Sequence, residues 1–293
     1  MRAIETEKLT KYYGKARGVE ELDLSVEQGE FFGFIGPNGA GKSTTIRTLL
    51  GYISPSSGSA RVLGLDTAAQ RREILSRVGY LPSEAVFYRG MRVKEVIALS
   101  AALRKKDCKQ EAASLCSRLE LDTEKKVDEL SFGNRKKLAI VCAFQHRPDL
   151  YILDEPTSGL DPLMQREFFA LLQERHREGA SVFLSSHILS EIQRYCSRAA
   201  IIRQGRIIAC GSVEELGQTG AKRVSVHGQA ELQGLSGIKD LQRSGESLSF
   251  LYSGDLHALL ERLARSRVKD LSIAEPDLEE IFMHYYSGEG EEQ

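Results

Sequence analysis

Three observations on this 293-residue chain predict an α/β fold built on a mostly parallel sheet. Short apolar runs alternate with helix-compatible segments through the N-terminal part, the pattern of strands joined by crossover helices. The unbroken apolar stretch Leu150-Tyr151-Ile152-Leu153 suits a strand covered on both faces, as parallel sheets require. A glycine-rich turn, Gly36-Pro37-Asn38-Gly39-Ala40-Gly41-Lys42-Ser43, joins the apolar run Phe31-Phe32-Gly33-Phe34-Ile35 to the helical run Thr44-Thr45-Ile46-Arg47-Thr48-Leu49-Leu50.

That turn fits the spacing G-x-x-x-x-G-K-[ST], in the strand-turn-helix setting that a phosphate-cradling (Walker A) loop needs. Glycines let consecutive backbone N–H groups converge on phosphate oxygens, since they tolerate positive φ and close approach. The following helix points the positive end of its dipole at the same anions. Lys42 adds a full charge, and the Ser43 hydroxyl is suited to Mg²⁺. Gly36, Asn38, Gly39, Gly41, Lys42, Ser43 and Thr44 are therefore the expected nucleoside triphosphate-binding residues.

Composition narrows the partners. Lys and Arg total 40 against 41 Asp and Glu, so the overall charge gives no sign of a nucleic-acid partner. No apolar stretch reaches the ~18 residues of a membrane span, and Met1-Arg2-Ala3-Ile4-Glu5 does not open a signal peptide. Any membrane role is expected to depend on a partner. The five cysteines form no C-x-x-C pair, which fits idle thiols in a reducing cytosol, and six scattered histidines give no zinc pattern.

Along the chain, the texture changes after Gly79-Tyr80-Leu81-Pro82. From about Val93 to Cys116 the sequence reads helical, with Val93, Val96, Ile97, Ser100, Ala101 and Leu103 near a 3.6 period. A second helix is expected from Asn134 to Phe144, completing a helical insertion over about 84–147. Strands return at Leu150–Leu153, Ser181–Ser185, Ala199–Ile202 and Arg206–Ile208. A domain boundary is placed near Gly217-Gln218-Thr219-Gly220, giving a 1–217 domain and a 218–293 extension. The extension reads as a small α+β domain. It has strands at Arg223–Val226 and Ser247–Tyr252, a helix at Asp255–Leu263, and a short strand near Leu271-Ser272-Ile273. A last helix at Leu278–Tyr286 precedes an acidic tail, Glu289–Gln293.

Asp154-Glu155 follows the buried strand, where one carboxylate could hold Mg²⁺ and its neighbour polarise an attacking water. Alone, two acids at a strand end are equally explained as exposed turn residues. With Leu130-Ser131-Phe132-Gly133-Asn134, Asp154-Glu155-Pro156-Thr157-Ser158-Gly159-Leu160-Asp161 and Ser185-Ser186-His187, the chain resembles the nucleotide-binding subunit of an ATP-binding cassette (ABC) transporter over residues 1 to about 217.

The resemblance implies a P-loop NTPase cassette: mostly parallel sheet, antiparallel β subdomain and helical insertion. It implies ATP hydrolysis, with ATP and Mg²⁺ as cofactors, by a dimer of cassettes that closes around nucleotide. It assigns catalysis to Glu155, His187 and Lys42, and adenine stacking to Tyr13. Metal ligation falls to Ser43, Asp154 and Ser83, and contacts across the dimer to Ser131, Gly133 and Asp161. Taken apart from the family, Tyr13 also reads as a surface aromatic and Ser131 as a helix N-cap.

Three positions depart from the family pattern. Ser83 stands where glutamine is usual, which puts side-chain coordination of Mg²⁺ there in doubt; Phe132 replaces a glycine, and Asn134 a glutamine. The basic run Arg135-Lys136-Lys137 reads as a solvated helix face, with contact to a partner's phosphates as the alternative. The departures and the extension ending Asp277-Leu278-Glu279-Glu280-Ile281-Phe282 resemble bacterial exporters of drugs, peptides or lipid-linked molecules. In these a separate membrane permease is the partner, along with a second cassette in a homodimer or heterodimer. This places the chain at the cytoplasmic face of the cell membrane, with Phe87, Tyr88 and Met91 either as apolar contacts to the permease or as ordinary packing of the helical insertion. The rival reading is a soluble cassette acting on ribosomes or DNA, which the single cassette and modest insertion disfavour.

Overall fold

The computed structural model describes residues 1–217, 222–232 and 234–274. The expected last helix, the acidic tail and the residues Gln218–Gly220 of the predicted boundary lie outside the described residues. The chain divides into two compact units, Met1–Gly211 and Ser212–Gln293, a division earlier than Gly217.

In the first unit, two long strands, β1 (Arg2–Tyr13) and β2 (Ala16–Glu27), form an antiparallel hairpin. β3 (Phe31–Ile35), buried at every residue, leads through the glycine-rich turn into α1 (Lys42–Leu49). β4 (Ser57–Val62) and β5 (Leu65–Asp66) complete a four-stranded sheet in the order β2-β1-β4-β5, with every described pairing antiparallel. After α2 (Arg71–Arg77) and β6 (Val78–Leu81) come the insertion helices α3 (Val93–Leu103), α4 (Lys109–Arg118) and α5 (Phe132–Phe144). β7 (Leu150–Asp154), α6 (Pro162–Arg177), β8 (Ser181–Ser186), α7 (Leu189–Tyr195), β9 (Arg198–Arg203) and β10 (Arg206–Ser212) follow. The second sheet has the order β10-β9-β3-β8-β7-β6, with β9, β3, β8, β7 and β6 paired in parallel.

The expected helix from Val93 to Cys116 is two helices. Arg104 ends α3, Lys105 takes a left-handed φ of 54°, and Asp107 accepts from the Lys109 amide at the start of α4. Short-range periodicity misses this break because α4 also has helical apolar spacing, with Ala112, Leu115 and Cys116 buried.

Burial follows the predicted logic. Phe32, Phe34, Ile46, Leu49, Ile152 and Phe183 share one core in which the central strands and α1 meet. Phe32 and Phe183 stack with centroids 6.0 Å apart. Burying such rings contributes roughly 1.5–3 kcal/mol each, which fixes the sheet beneath its own C-terminal edge.

The second unit contains α8 (Val213–Gly217), then β11 (Lys222–Gln229), β12 (Ile238–Ser244), β13 (Ser247–Tyr252), α9 (Leu256–Ala264) and β14 (Arg267–Ala274). The strands form an antiparallel sheet, β12-β13-β11-β14. Alternation along β11 buries Val224 and Val226 against Phe250, Leu259 and Leu263. β12 carries six exposed residues after Ile238, so hydropathy alternation gives no sign of it.

Candidate functional site

Register places the site. Ile35 lies opposite Ser186, Asp154 opposite Ser185, and Leu81 opposite Leu153. Parallel strands bring their ends to one edge, so the residues that follow them, Gly36, His187, Glu155 and Pro82, emerge side by side. In open α/β sheets this carboxyl edge is where ligands bind.

The turn after β3 is built for close approach. A Cβ on Gly36 would stand 2.5 Å from the Ile202 carbonyl oxygen. Gly41, at φ 113°, would meet the Gly18 carbonyl at 2.8 Å, while Gly39 turns at φ 81° in open space. α1 begins at Gly41 without a side-chain cap and without an acidic residue in its first turn. Its leading amides are thus left for an anion, and the dipole favours one there. Asn38 is exposed, and Ser43 and Thr44 are half-buried at the helix start.

Lys42 is buried and folds over its own loop, donating to the carbonyls of Gly36 at 2.6 Å and Pro37 at 3.1 Å. The same ammonium lies 3.2 Å from Glu155 Oε1, and Glu155 Oε2 lies 3.4 Å from His187 Nδ1. Three of the predicted residues thus form one cluster, with the His187 ring half exposed. Asp154, 3% exposed, accepts from the Ser185 hydroxyl at 3.1 Å. Glu155 holds a left-handed φ of 47°, a conformation costly for a non-glycine residue, while its amide donates to the Ser185 carbonyl at 3.0 Å.

Tyr13 is 47% exposed at the end of β1. Its ring edge and the Thr44 side chain flank Gly18, each 3.0 Å from where a Cβ there would sit. Lys11 lies over the ring, 5.4 Å from its centroid. Ser131 caps α5, accepting from the Asn134 amide at 3.3 Å, as its residue type predicts. Asp161 caps α6 in the same way, accepting from Leu163 and Met164 at 3.0 Å, with Pro162 at the first helical position. The Phe132 ring lies so closely over Gly159 that a Cβ there would fall inside it. Among the described residues, no hydrogen bond or ion pair joins the Ser131–Asn134 turn to Lys42 or its loop.

One expectation is overturned. Lys136 is not on a solvated face: it is 2% exposed, and its ammonium donates to the carbonyls of Pro82, Ser83 and Glu155 at 2.9, 3.0 and 3.3 Å. Burial pushes its pKa down to about 8, against the pull of Asp154 and Glu155. Spacing could have found it, because Lys136, Ala139, Ile140 and Ala143 occupy one buried stripe of α5. Charge-run reading hid it.

Ser83 is tied to the cluster through its carbonyl, and no hydrogen bond of its hydroxyl is seen among the described residues. Tyr88 is 74% exposed, with Val86 beside it at 85%. Phe87 and Met91 are half-buried.

For Mg²⁺, the donor set is chemically apt: the Ser43 hydroxyl and the Asp154 carboxylate are hard oxygens, and no His/Cys/Asp/Glu cluster of three or more exists among the described residues. That suits a metal held by one or two protein oxygens with phosphates and water completing its shell. A cavity of about 670 Å³ at the opposite sheet edge is lined by Arg77, Asp149, Arg147, Arg175 and Glu178. Those charges pair with one another, with Glu111 beyond the lining joining them, so each of the three arginines has a carboxylate partner.

No described helix is long and apolar enough to cross a membrane. A family profile described as ABC transporter matches residues 19–158. The bacitracin transport ATP-binding protein BcrA of Bacillus licheniformis is 39% identical over 212 residues, covering 70% of this chain and 68% of that protein. The Nod factor export ATP-binding protein I of Sinorhizobium fredii is 33% identical over 292 residues, covering 96% of this chain and 85% of that protein. A solved structure of an ATP-binding subunit of an ABC transporter superposes with a TM-score of 0.70 at 31% identity, covering 73% of this chain and 91% of that one. The glycine cradle, the Asp154-Glu155 strand end and these likenesses converge: the chain belongs to the ABC transporter family, as one of its ATP-binding subunits, which are ATPases.

Proposed function

We propose that this chain hydrolyses ATP in a dimer of cassettes and thereby powers export through a separate membrane permease. The observation that carries the reading is the Lys42–Glu155–His187 cluster at the carboxyl edge of the sheet. Lys42 and the loop amides bind the phosphates, and Tyr13 stacks on the base. Glu155 orients and polarises the attacking water, and His187 contacts the γ-phosphate. Ser43 and Asp154 hold Mg²⁺, which supplies charge neutralisation of the phosphates when bound.

Ser131, Gly133 and Asp161 serve the neighbouring subunit's nucleotide. Among the described residues no hydrogen bond or ion pair joins the Ser131–Asn134 turn to Lys42 or its loop, which is consistent with a site completed across a dimer. Each α5 N-terminus then offers its dipole to a triphosphate held by the other chain. Two relatives are named for bacitracin transport and for Nod factor export, which supports an export role. Exposed Tyr88, with Phe87 and Met91, is the contact to the permease, which holds the chain at the cytoplasmic face of the membrane.

Glu155→Gln tests the reading. Removing a positioned base costs about 10²–10⁴-fold in turnover. ATP binding should persist, and with hydrolysis blocked an ATP-dependent dimer should accumulate, measured by light scattering after size exclusion. Turnover within a few-fold of the parent protein rejects Glu155 as the base; a monomer with ATP bound rejects the dimeric site.

A further inference from the structure

We propose that Lys136 is a positioning residue for hydrolysis: it holds Glu155 in its left-handed backbone conformation and fastens it to the 82–83 segment. The proposal rests on the reading of Glu155 as the catalytic carboxylate.

An ammonium has three N–H donors and no acceptor. All three of Lys136 are used, on carbonyls from two different strand ends: Pro82 and Ser83 beyond β6, and Glu155 beyond β7. The side chain itself rises from the second turn of α5, the helix whose cap is Ser131. One buried cation therefore joins three elements of the site. No carboxylate lies within ion-pair distance among the described residues, so its charge is satisfied by these carbonyl dipoles.

That arrangement is unforgiving. A buried cation deprived of one acceptor pays heavily in desolvation, so the three carbonyls must move together or not at all. Glu155 sits where this matters. Its φ of 47° is strained for a residue with a side chain, and such a conformation persists only where the surroundings impose it. Its carbonyl accepts from both Lys136 and the Ser158 amide at 3.3 Å, and its amide is anchored on Ser185. Removing Lys136 takes away the side-chain anchor and leaves the backbone free to relax. The carboxylate then swings away from Lys42 and His187. Displacing Ser83 would pull on the same ammonium and reach Glu155 by the same route.

The test uses the full chain with Lys136→Gln, which keeps two donors, and Lys136→Met, which keeps none but matches the volume. A misplacement of about 1 Å costs on the order of 10²-fold, so kcat should fall in the order Lys, Gln, Met, with Met down at least about tenfold. The KM for ATP and the dissociation constant of a non-hydrolysable ATP analogue should stay within about threefold, because the phosphate loop is untouched. If Met does not fold, Gln alone decides. In a Glu155→Gln background, Lys136→Gln should cause no further loss, since residues acting as a unit are not additive. Parent-level kcat in either soluble variant overturns the proposal, as does a matching loss of analogue binding or an independent further loss in the double variant. Parent-level turnover in Glu155→Gln alone would instead remove the reading beneath it.

Discussion

Mild acid should loosen α5 from the sheet, and His146 is the group responsible. The imidazole is 4% exposed just beyond the end of α5, and its Nε2 faces the Val78 carbonyl of β6 at 3.2 Å. A carbonyl only accepts, so Nε2 carries the proton of the neutral ring and Nδ1 is bare. Nδ1 finds no partner among the described residues. Protonation would place a buried charge on that unpartnered atom, near Arg104 and Lys106, and burial accordingly pushes the His146 pKa down to about 3. In the unfolded chain it titrates near ~6.5. Between those values the unfolded state binds the extra proton, so stability rises with pH and is lost as pH falls from about 6.5 toward 3. The loss reaches about 1.4 kcal/mol per pH unit, or about 2 kcal/mol between about pH 7 and pH 5. Urea unfolding of the parent chain and of His146→Gln, followed by far-UV circular dichroism at both pH values, isolates what His146 contributes. The parent should lose about 2 kcal/mol more than the variant over that interval. Identical pH dependence in the two would refute the assignment of a neutral buried ring.

Other perturbations address the site directly. Lys42→Ala removes the one side-chain cation that, among the described residues, bridges the phosphate loop and Glu155, so calorimetric nucleotide affinity should fall at least about tenfold, given the 1.5–3 kcal/mol typical of hydrogen bonds to charged groups; an unchanged dissociation constant would remove the loop's assigned role. Gly159→Ala collides with the Phe132 ring and strains a φ of 78°, which should cost about 1–3 kcal/mol in thermal stability. Adding Phe132→Ala should recover the collision but not the strain, and failure to recover any stability would deny that the ring is the obstacle.

The sequence made the strands around the site legible because each demand was local. Full burial of β3 and β7 required unbroken apolar runs, and the turn between β3 and α1 required its glycines. Ser131 was readable as a cap for the same reason: a cap bonds to amides two or three residues away, as Asp161 also does. What was not legible depended on partners far along the chain. Lys136 looks like one third of a basic run until Pro82, Ser83 and Glu155, contributed by two other strand ends, surround it. The break between α3 and α4 was hidden because both helices bury the same kind of face. β12 was hidden because its pairing with β13 is made by the backbone, whatever its side chains.

Charge at the sheet edge bears on why such a site would need more than one chain. Two buried ammonium groups, Lys42 and Lys136, stand against two carboxylates, Asp154 and Glu155. These two cations and two carboxylates balance, and Lys42 already serves Glu155. A triphosphate arriving here meets no surplus of side-chain cation. Its charge has to be met by backbone amides, by the dipole of α1 and by a divalent ion, each worth most where water is excluded. One face of the loop remains open to solvent in a single chain. A second α5 N-terminus, capped by Ser131 and free of acidic residues in its first turn, is the kind of group that could cover it. On the proposed dimeric reading, loss of the γ-phosphate would return Lys42 to Glu155 and weaken what two chains would share.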